Sequence, residues 1–456
     1  MASAQNDFSK GSVVGNIMGM AIPMTAAQLI NLLYNVVDRI YIGYIPEHAT
    51  LSLTGLGVCL PVITAVMAFA NLFGMGGGAP LCSIERGRGN QKEAEAIMGN
   101  AFTLMVICGI LLTILGIVFR RPLLYLFGAS DSTYPYAESY MTIYLLGSVF
   151  VMMGLGMNAF INSQGFGRIG MQTVLLGAVA NIILDPVFIF GFRMDVRGAA
   201  LATIISQFLS AAWVLRFLFS DRSILRLKRE TMMLKKARVL KIVSMGMSSF
   251  AAGFTNSVVA VACNATLQTW GGDLYVGVMT VIHSVREIAE NLVKGLTGGS
   301  QPVLGYNFGA GQYDRVKKAI RFLSVSTIAF TTFCWILISI FPETFIHIFN
   351  RDETLVQAAI PAVRVYFFGF FMMSLQYSGQ ACFIGLGKAK QATFFSIFRK
   401  VIIVLPLTLL FPRLGGLGAM GVFLAEPVSN FIGGAACYGT MLRTVWQELN
   451  KKKESA

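Results

Sequence analysis

Apolar stretches long enough to cross a lipid hydrocarbon core, which takes about 20 residues of helix, recur twelve times between Val13 and Met441. Lipid offers a backbone amide no hydrogen-bond partner, so each stretch has to satisfy its own N–H and C=O groups by coiling into a helix. The rest of the composition agrees. Only 13% of the residues are charged and 55% are hydrophobic, where a soluble chain carries about 25% charged residues. Mean hydropathy is +0.66, more apolar surface than a water-soluble core can absorb. The expected fold class is therefore an all-α integral membrane protein with twelve transmembrane helices in two pseudo-symmetric six-helix lobes. The opening residues MASAQNDFSKGS are polar, and no short apolar core with a small-residue cleavage site follows them, so no removable signal peptide is expected.

The predicted spans are 13–43, 53–78, 96–119, 136–160, 171–192, 198–219, 240–267, 275–300, 319–342, 361–385, 392–412 and 417–441. Basic residues sort by connection. Arg86, Arg88 and Lys92 follow span 2, Arg168 follows span 4, and Arg315, Lys317, Lys318 and Arg321 follow span 8. Lys388 and Lys390 follow span 10, and the stretch 221–241 is the one long charged run. The odd-numbered connections hold fewer: Arg120, Arg121, Arg193, Arg197, Arg351 and Arg413. The positive-inside rule then places both termini in the cytoplasm of a multi-pass cell-membrane protein. It also accounts for the net charge of +14 without nucleic acid; the partners such basic margins attract are anionic membrane lipids.

Two halves repeat. Pro80, Gly87 and Gly89 recur 222 residues later as Pro302, Gly309 and Gly311, each pair in a basic loop after an apolar span. Gly165, Pro186 and Gly198 recur 220 residues later as Gly385, Pro406 and Gly418, which implies one small indel. Corresponding loops share a sidedness, so the halves are parallel repeats related by an axis near the membrane normal. The expected divisions are an N-terminal lobe 1–220, a cytoplasmic linker 221–240, a C-terminal lobe 241–442 and a basic tail 443–456.

A polar residue inside a span needs a reason, because a charge at mid-bilayer costs about 2.5–3.5 kcal/mol even on insertion scales. Span 1 carries Gln28, Asn31, Asn35 and Asp38 at steps of three, four and three, with Tyr34 one turn before Asp38. That spacing makes one polar stripe. Asn181 and Asp185 lie one turn apart in span 5, Thr203 and Gln207 in span 6, and span 4 ends in Asn158 and Asn162. These sets could converge on a polar pocket around two carboxylates. For Asn158, Asn162 and Gln207 plain interhelical hydrogen bonds are the readier account. Arg39 either neutralises Asp38 or, pointing about 100° away on the helix, reaches for the interface.

In the second half, Arg286, Glu290 and Lys294 are spaced to neutralise one another at i, i+4. Glu287 is left open between a cation-facing carboxylate and a structural ion pair. Glu426, Gln376 and Gln380 read as structural, and Arg399 and Lys400 as snorkelling toward the cytoplasm. Pro23 and Pro186 each remove a backbone donor and favour a kink. Gly74-MGGG and Gly295-LTGG permit close helix approach. The seven cysteines are scattered through apolar runs and are expected as buried free thiols. His48, His283 and His347 share no ligand spacing, so no metal centre of the histidine or thiolate type is expected, and no nucleophile–base pair marks an enzyme.

The runs Asn35-VVDRIYIG, Asn181-IILDP, Gly305-YNFGAG and Leu424-AEP, in this order and at twelve-span spacing, resemble multidrug and toxic compound extrusion (MATE) transporters along nearly the whole chain. The resemblance implies a V-shaped pair of six-helix lobes around a central cavity, working as a monomer without an organic cofactor. It implies export of organic cations in exchange for protons or sodium. Asp38, Asn181, Asp185 and Thr203 match the polar cluster that the proton-coupled, archaeal-like branch uses for its coupling ion, and sodium at Asp38 and Asp185 stays open. Gln28, Asn31, Tyr34, Asn35, Asn158, Asn162, Gln207 and Glu287 are then expected to face substrate. Spans 7 and 10 lack the carboxylates that a sodium-coupled branch places there. The alternatives are a lipid-linked or polysaccharide flippase of the same superfamily, which would present a basic cavity, a major-facilitator transporter, or a membrane-embedded enzyme.

Overall fold

The computed structural model describes residues 5–45 and 49–454; His48 lies outside them. Every regular element among the described residues is helical. The spanning helices of the first half are α1 (Val13–Gly43), α2 (Ala49–Phe73), α3 (Gln91–Val118), α4 (Tyr134–Leu146, continued by Ser148–Ser163), α5 (Gly167–Pro186) and α6 (Asp195–Phe219). One unbroken run, Lys236–Gly309, turns back at Gly272, where φ is 64°, and so contributes two spans, α7 (236–271) and α8 (273–309). The remaining spans are α9 (Tyr313–Ile340), α10 (Glu353–Phe367, continued by Phe370–Gly385), α11 (Ala389–Ile397, extended to Arg413 through a π-helical stretch) and α12 (Ala419–Met441). The expected twelve-helix architecture is the one observed. Its signal is weakest at α12, long enough to cross but interrupted by Glu426, Ser429 and Asn430.

Local chemistry sets the boundaries. Asn90 caps α3 by accepting from Glu93 N at 3.3 Å, and Asp352 caps α10 by accepting from Thr354 N at 2.9 Å, each satisfying a donor that the first helical turn leaves unpaired. Pro186 supplies no N–H, and the chain continues as a π-helical turn, Val187–Gly191.

The repeat is clearer in the backbone than in the sequence. Gly89 and Gly311 end corresponding turns with φ of 76° and 71°, a left-handed conformation that favours glycine. Helices α4 and α10 are both bent, by 59° and 47°, at Gly147 and Gly369, 222 positions apart. The turn after α4 has Gly165 at φ 93°, and its counterpart after α10 is Gly387 at φ 74°, not Gly385. The sequence pairing of Gly165 with Gly385 is therefore corrected by two residues, and the indel falls beyond this turn. Gly198 pairs by environment with Gly421 rather than Gly418: a Cβ on Gly198 would meet the backbone of Phe188 and Ile189, and one on Gly421 that of Phe411 and Pro412.

The chain forms two compact units. The first holds Ile22–Phe250 and the described residues before Phe8; the second holds Phe8–Ala21 and the chain from Ala251 onward. The start of α1 thus packs in the second unit and the start of α7 in the first. Glycines make room for both. A Cβ on Gly77 would lie 2.7 Å from Ile242 O, and one on Gly246 only 1.8 Å from Leu72 O. In the second unit a Cβ on Gly299, 222 positions after Gly77, would lie 2.5 Å from Ala21 N.

The charged stretch 221–241 is ordered against α3 in the first unit. Asn100 Nδ2 donates to Thr231 O and Met233 O at 3.0 Å, and Asn100 Oδ1 accepts from Lys235 N at 2.9 Å. Glu93 takes a forked pair of bonds from Arg238 at 2.9 and 2.6 Å. Buried Glu95 accepts from Lys228 Nζ at 2.7 Å.

Candidate functional site

The first unit encloses a cavity of about 70 Å³ between α1, α4, α5 and α6. Its polar lining includes Asn31 and Tyr34 of α1, Asn158 of α4, Asn181 of α5, and Thr203 and Gln207 of α6, beside the hydroxyls of Thr173, Ser206 and Ser210. Thr203 and Gln207 enter the lining as the pair their spacing suggested, whereas Asn31 enters it without Gln28 and Asn35, and Asn158 without Asn162. Small residues make the room: a Cβ on Gly177 would lie 2.4 Å from Ser210 Oγ, and the π-helical turn Met153–Met157 widens α4 beside it.

Asp185, fully buried, joins this lining at one corner through Asn181, whose Nδ2 donates to Asp185 Oδ1 at 3.2 Å. The carboxyl of Asp38 lies beside that of Asp185. Tyr34 lies near both. Two ionised carboxylates cannot hydrogen-bond each other, because each only accepts, so a proton or a cation between them would stabilise the pair. The surrounding oxygens repeat that demand. Asp38 Oδ1, Asp185 Oδ2, Asn181 Oδ1 and Asn158 Oδ1 are all buried without a hydrogen-bond partner among the described residues. Every one of these orphaned atoms is an acceptor. Such a set suits a proton, or a hard cation that takes oxygen ligands.

Other predicted residues lie elsewhere. Asn35 and Arg39 are exposed on α1, so Arg39 points outward as its helical position suggested. Gln28 is half-buried one turn before the cavity. Asn162 faces Gly170, toward which a Cβ there would come within 2.2 Å of Asn162 Oδ1, a packing position at the end of α4. Glu287 belongs to the second unit and is exposed. The sequence reading missed Tyr140 and Tyr144, buried and stacked at 6.2 Å on α4. Tyr140 reaches Thr203 and neighbours Asp38. Their i, i+4 spacing was visible, but aromatic residues are common on apolar faces.

In the second unit, Arg399 and Lys400 do not snorkel. They are drawn into a buried ion network centred on Glu426, whose Oε1 accepts from Arg286 Nη1 at 2.6 Å and Arg399 Nη1 at 2.8 Å. Arg286 also binds Glu290, which meets Lys294 Nζ at 3.4 Å. Arg399 and Lys400 both lie in the π-helical stretch Phe398–Val404. Gln376 and Gln380 brace α10 against α11, donating to Phe395 O at 3.2 Å and Ala392 O at 2.8 Å. All seven cysteines are free.

The fold and sequence can now be set beside known proteins. The MatE family model matches residues 23–187 and 248–410, one copy in each half, and the chain belongs to this family of membrane transporters. A multidrug export protein, MepA, of Staphylococcus saprophyticus is 24% identical over 91% of this chain and 90% of its own. MepA of Staphylococcus aureus is 23% identical over 87% of each. Among solved structures, a MATE protein in complex with MaD3S superposes with a TM-score of 0.90 at 20% identity over all of both chains. An outward-facing multidrug resistance MATE transporter gives 0.89 at 20% identity over 98% of each. A Pyrococcus furiosus transporter of the MOP superfamily, described as having a binding pocket of reverse polarity, gives 0.90 at 20% identity over 99% of each.

Proposed function

We propose that this protein is a multidrug efflux transporter that exports organic cations in exchange for protons, with Asp38 and Asp185 carrying the coupling proton. The observation that carries this reading is the contact between the two carboxyls inside a ring of unpartnered acceptor oxygens. Two acids side by side in a poorly hydrated pocket cannot both ionise cheaply, so the pair holds one proton readily and releases it when the pocket rearranges. Antiport needs substrate and coupling ion to occupy the protein alternately. A lone pair of carboxylates beside a cavity does this, because a cationic drug and a proton compete to neutralise the same charge. Asn181 holds Asp185 in place by its 3.2 Å hydrogen bond, and Asn31, Tyr34, Asn158, Thr203 and Gln207 supply the polar cavity wall. The names of the staphylococcal relatives support drug export as the overall activity.

The test is drug uptake into everted vesicles at matched expression, read together with drug-induced proton release. Asp38→Asn and Asp185→Asn, each resembling a protonated acid, should abolish gradient-driven uptake of a monovalent lipophilic cation while the protein still inserts. Asn158→Ala should retain a substantial part. Wild-type coupling in both aspartate variants would sink the assignment, and uptake driven by sodium alone would make sodium the coupling ion.

A further inference from the structure

The repeat register places the second unit's ion network where the first unit has its cavity. Gly177 and Ala178, which line the cavity, correspond 222 positions on to Arg399 and Lys400. Thr203 and Gln207 correspond to Glu426 and Asn430 in the register that pairs Gly198 with Gly421. Contacts confirm the equivalence. Gly177 lies against Ser210 in the first unit, and Arg399 lies against Gly433, the counterpart of Ser210, in the second. One position in the fold has thus been built twice, with opposite chemistry.

The charges of the second copy do not balance. Among the described residues, Arg286, Arg399 and Lys400 face Glu290 and Glu426 alone within the buried network, and half-exposed Lys294 adds another cation. Glu287, on the same stretch of α8, points to the exposed side. Glu426 Oε1 is already shared by both arginines. Lys400 Nζ reaches Glu426 Oε2 only at 3.7 Å, beyond hydrogen-bond distance, so its donors are unspent among the described residues. Asn430 is buried, accepts at Oδ1 from Arg399 Nη1 at 3.1 Å, and leaves Nδ2 without an acceptor among the described residues. Two glutamine oxygens, of Gln376 and Gln380, are unpaired too, but their amides are tied to α11 at Phe395 and Ala392. A buried charge without a counter-charge or hydrogen bonds is strongly unfavourable. The network is also reachable: the Lys400 side chain is 12% exposed and that of Glu290 is 17%.

We propose that the second unit carries a binding site for a small monovalent anion, a halide or a carboxylate no larger than acetate, at Lys400 within the Arg286–Glu426–Arg399 network. The anion supplies the missing counter-charge and accepts from the Lys400 ammonium. It occupies the position pseudo-equivalent to the first unit's acceptor-rich cavity. The proposal is independent of which ion couples transport at Asp38 and Asp185.

The test uses the full-length protein in detergent, melted in rising sodium chloride, bromide or acetate at an ionic strength held constant with sodium gluconate. A ligand that binds only the folded state raises the melting temperature with the logarithm of its concentration above the dissociation constant. The wild type should show that rise in halide over gluconate, and Lys400→Met should lose it, while Lys294→Met, at the exposed edge, should keep it. A matching rise in acetate would identify a carboxylate as a ligand; its absence would restrict the site to halides. Should Lys400→Met fail to fold, bromide-soaked crystals of the wild type should show an anomalous peak beside Lys400 Nζ. Identical melting of the wild type in halide, acetate and gluconate, an unchanged halide response in Lys400→Met, or no bromide peak beside that ammonium would overturn the proposal.

Discussion

At the scale of single residues, the chain separates what a spacing rule can find from what it cannot. Asp38, Asn181 and Asp185 were legible because an acid or amide in an apolar span has to be justified, and one-turn spacing puts such residues on one face. Arg399 and Lys400 were misread for an equally physical reason. Consecutive residues on an α-helix point about 100° apart, so reading both inward required a π-helical stretch that leaves no mark in composition. Outside the membrane, Glu448 shows a charge pair whose response to pH can be worked out. It accepts from Lys388 Nζ at 2.5 Å and pairs with Lys452 at 2.8 Å. Burial alone would raise its carboxyl, but the two lysines outweigh burial and hold it below the usual carboxylate range. A depressed value in the folded state means that its stabilisation is complete above the ordinary value of 4.5 and fades as pH falls through the lower, folded one. The pairs are partly exposed and contribute at most about 1 kcal/mol each. Fluorescence of Trp446, flanked by Lys317 and Arg321 at 5.9 and 5.3 Å, should therefore be flat from pH 8 to pH 5 and change only in more acid solution. The other three tryptophans would be replaced by phenylalanine for this measurement. Glu448→Gln should remove that acid transition.

At the scale of helices, glycine and proline decide where elements bend and how closely they meet. Bends at Gly147 and Gly369 recur at matching positions, and Gly77 and Gly246 let the start of α7 approach α2 to backbone contact. The sequence reading saw the glycine runs as packing without seeing what they packed against, since the partner segment is far away along the chain. Gly246→Ala would put a methyl group 1.8 Å from a backbone oxygen that cannot swing aside. It should cost at least about 1–3 kcal/mol and lower the melting temperature of the purified protein. Gly253→Ala, on the same helix with nothing within 4 Å, should melt with the wild type or slightly above it, because alanine favours helix. Equal melting of the two variants would mean that the close approach at Gly246 does not set the effect.

At the scale of the whole molecule, span number and repeat were readable from hydropathy and loop glycines, because lipid admits so few backbone solutions. Sidedness rests on the distribution of lysine and arginine. Reporter tags at both ends and within 221–241 should be inaccessible to an impermeant label in intact cells, and a tag near Asp131 should be accessible. Labelling of the linker from outside would reverse the arrangement. What hydropathy could not convey is that α1 and α7 each belong to two units, because an apolar helix looks the same whichever neighbour it packs against. That exchange bears on how such a chain could have arisen. A half-length ancestor whose first helix began in its twin's unit would have been an obligate pair, each copy completing the other. Joining the copies end to end would turn a trade between two chains into one within a single chain. The duplicated regions would then be free to diverge, one toward the acceptors of Asn181 and Asp185 and the other toward the donors of Arg399 and Lys400.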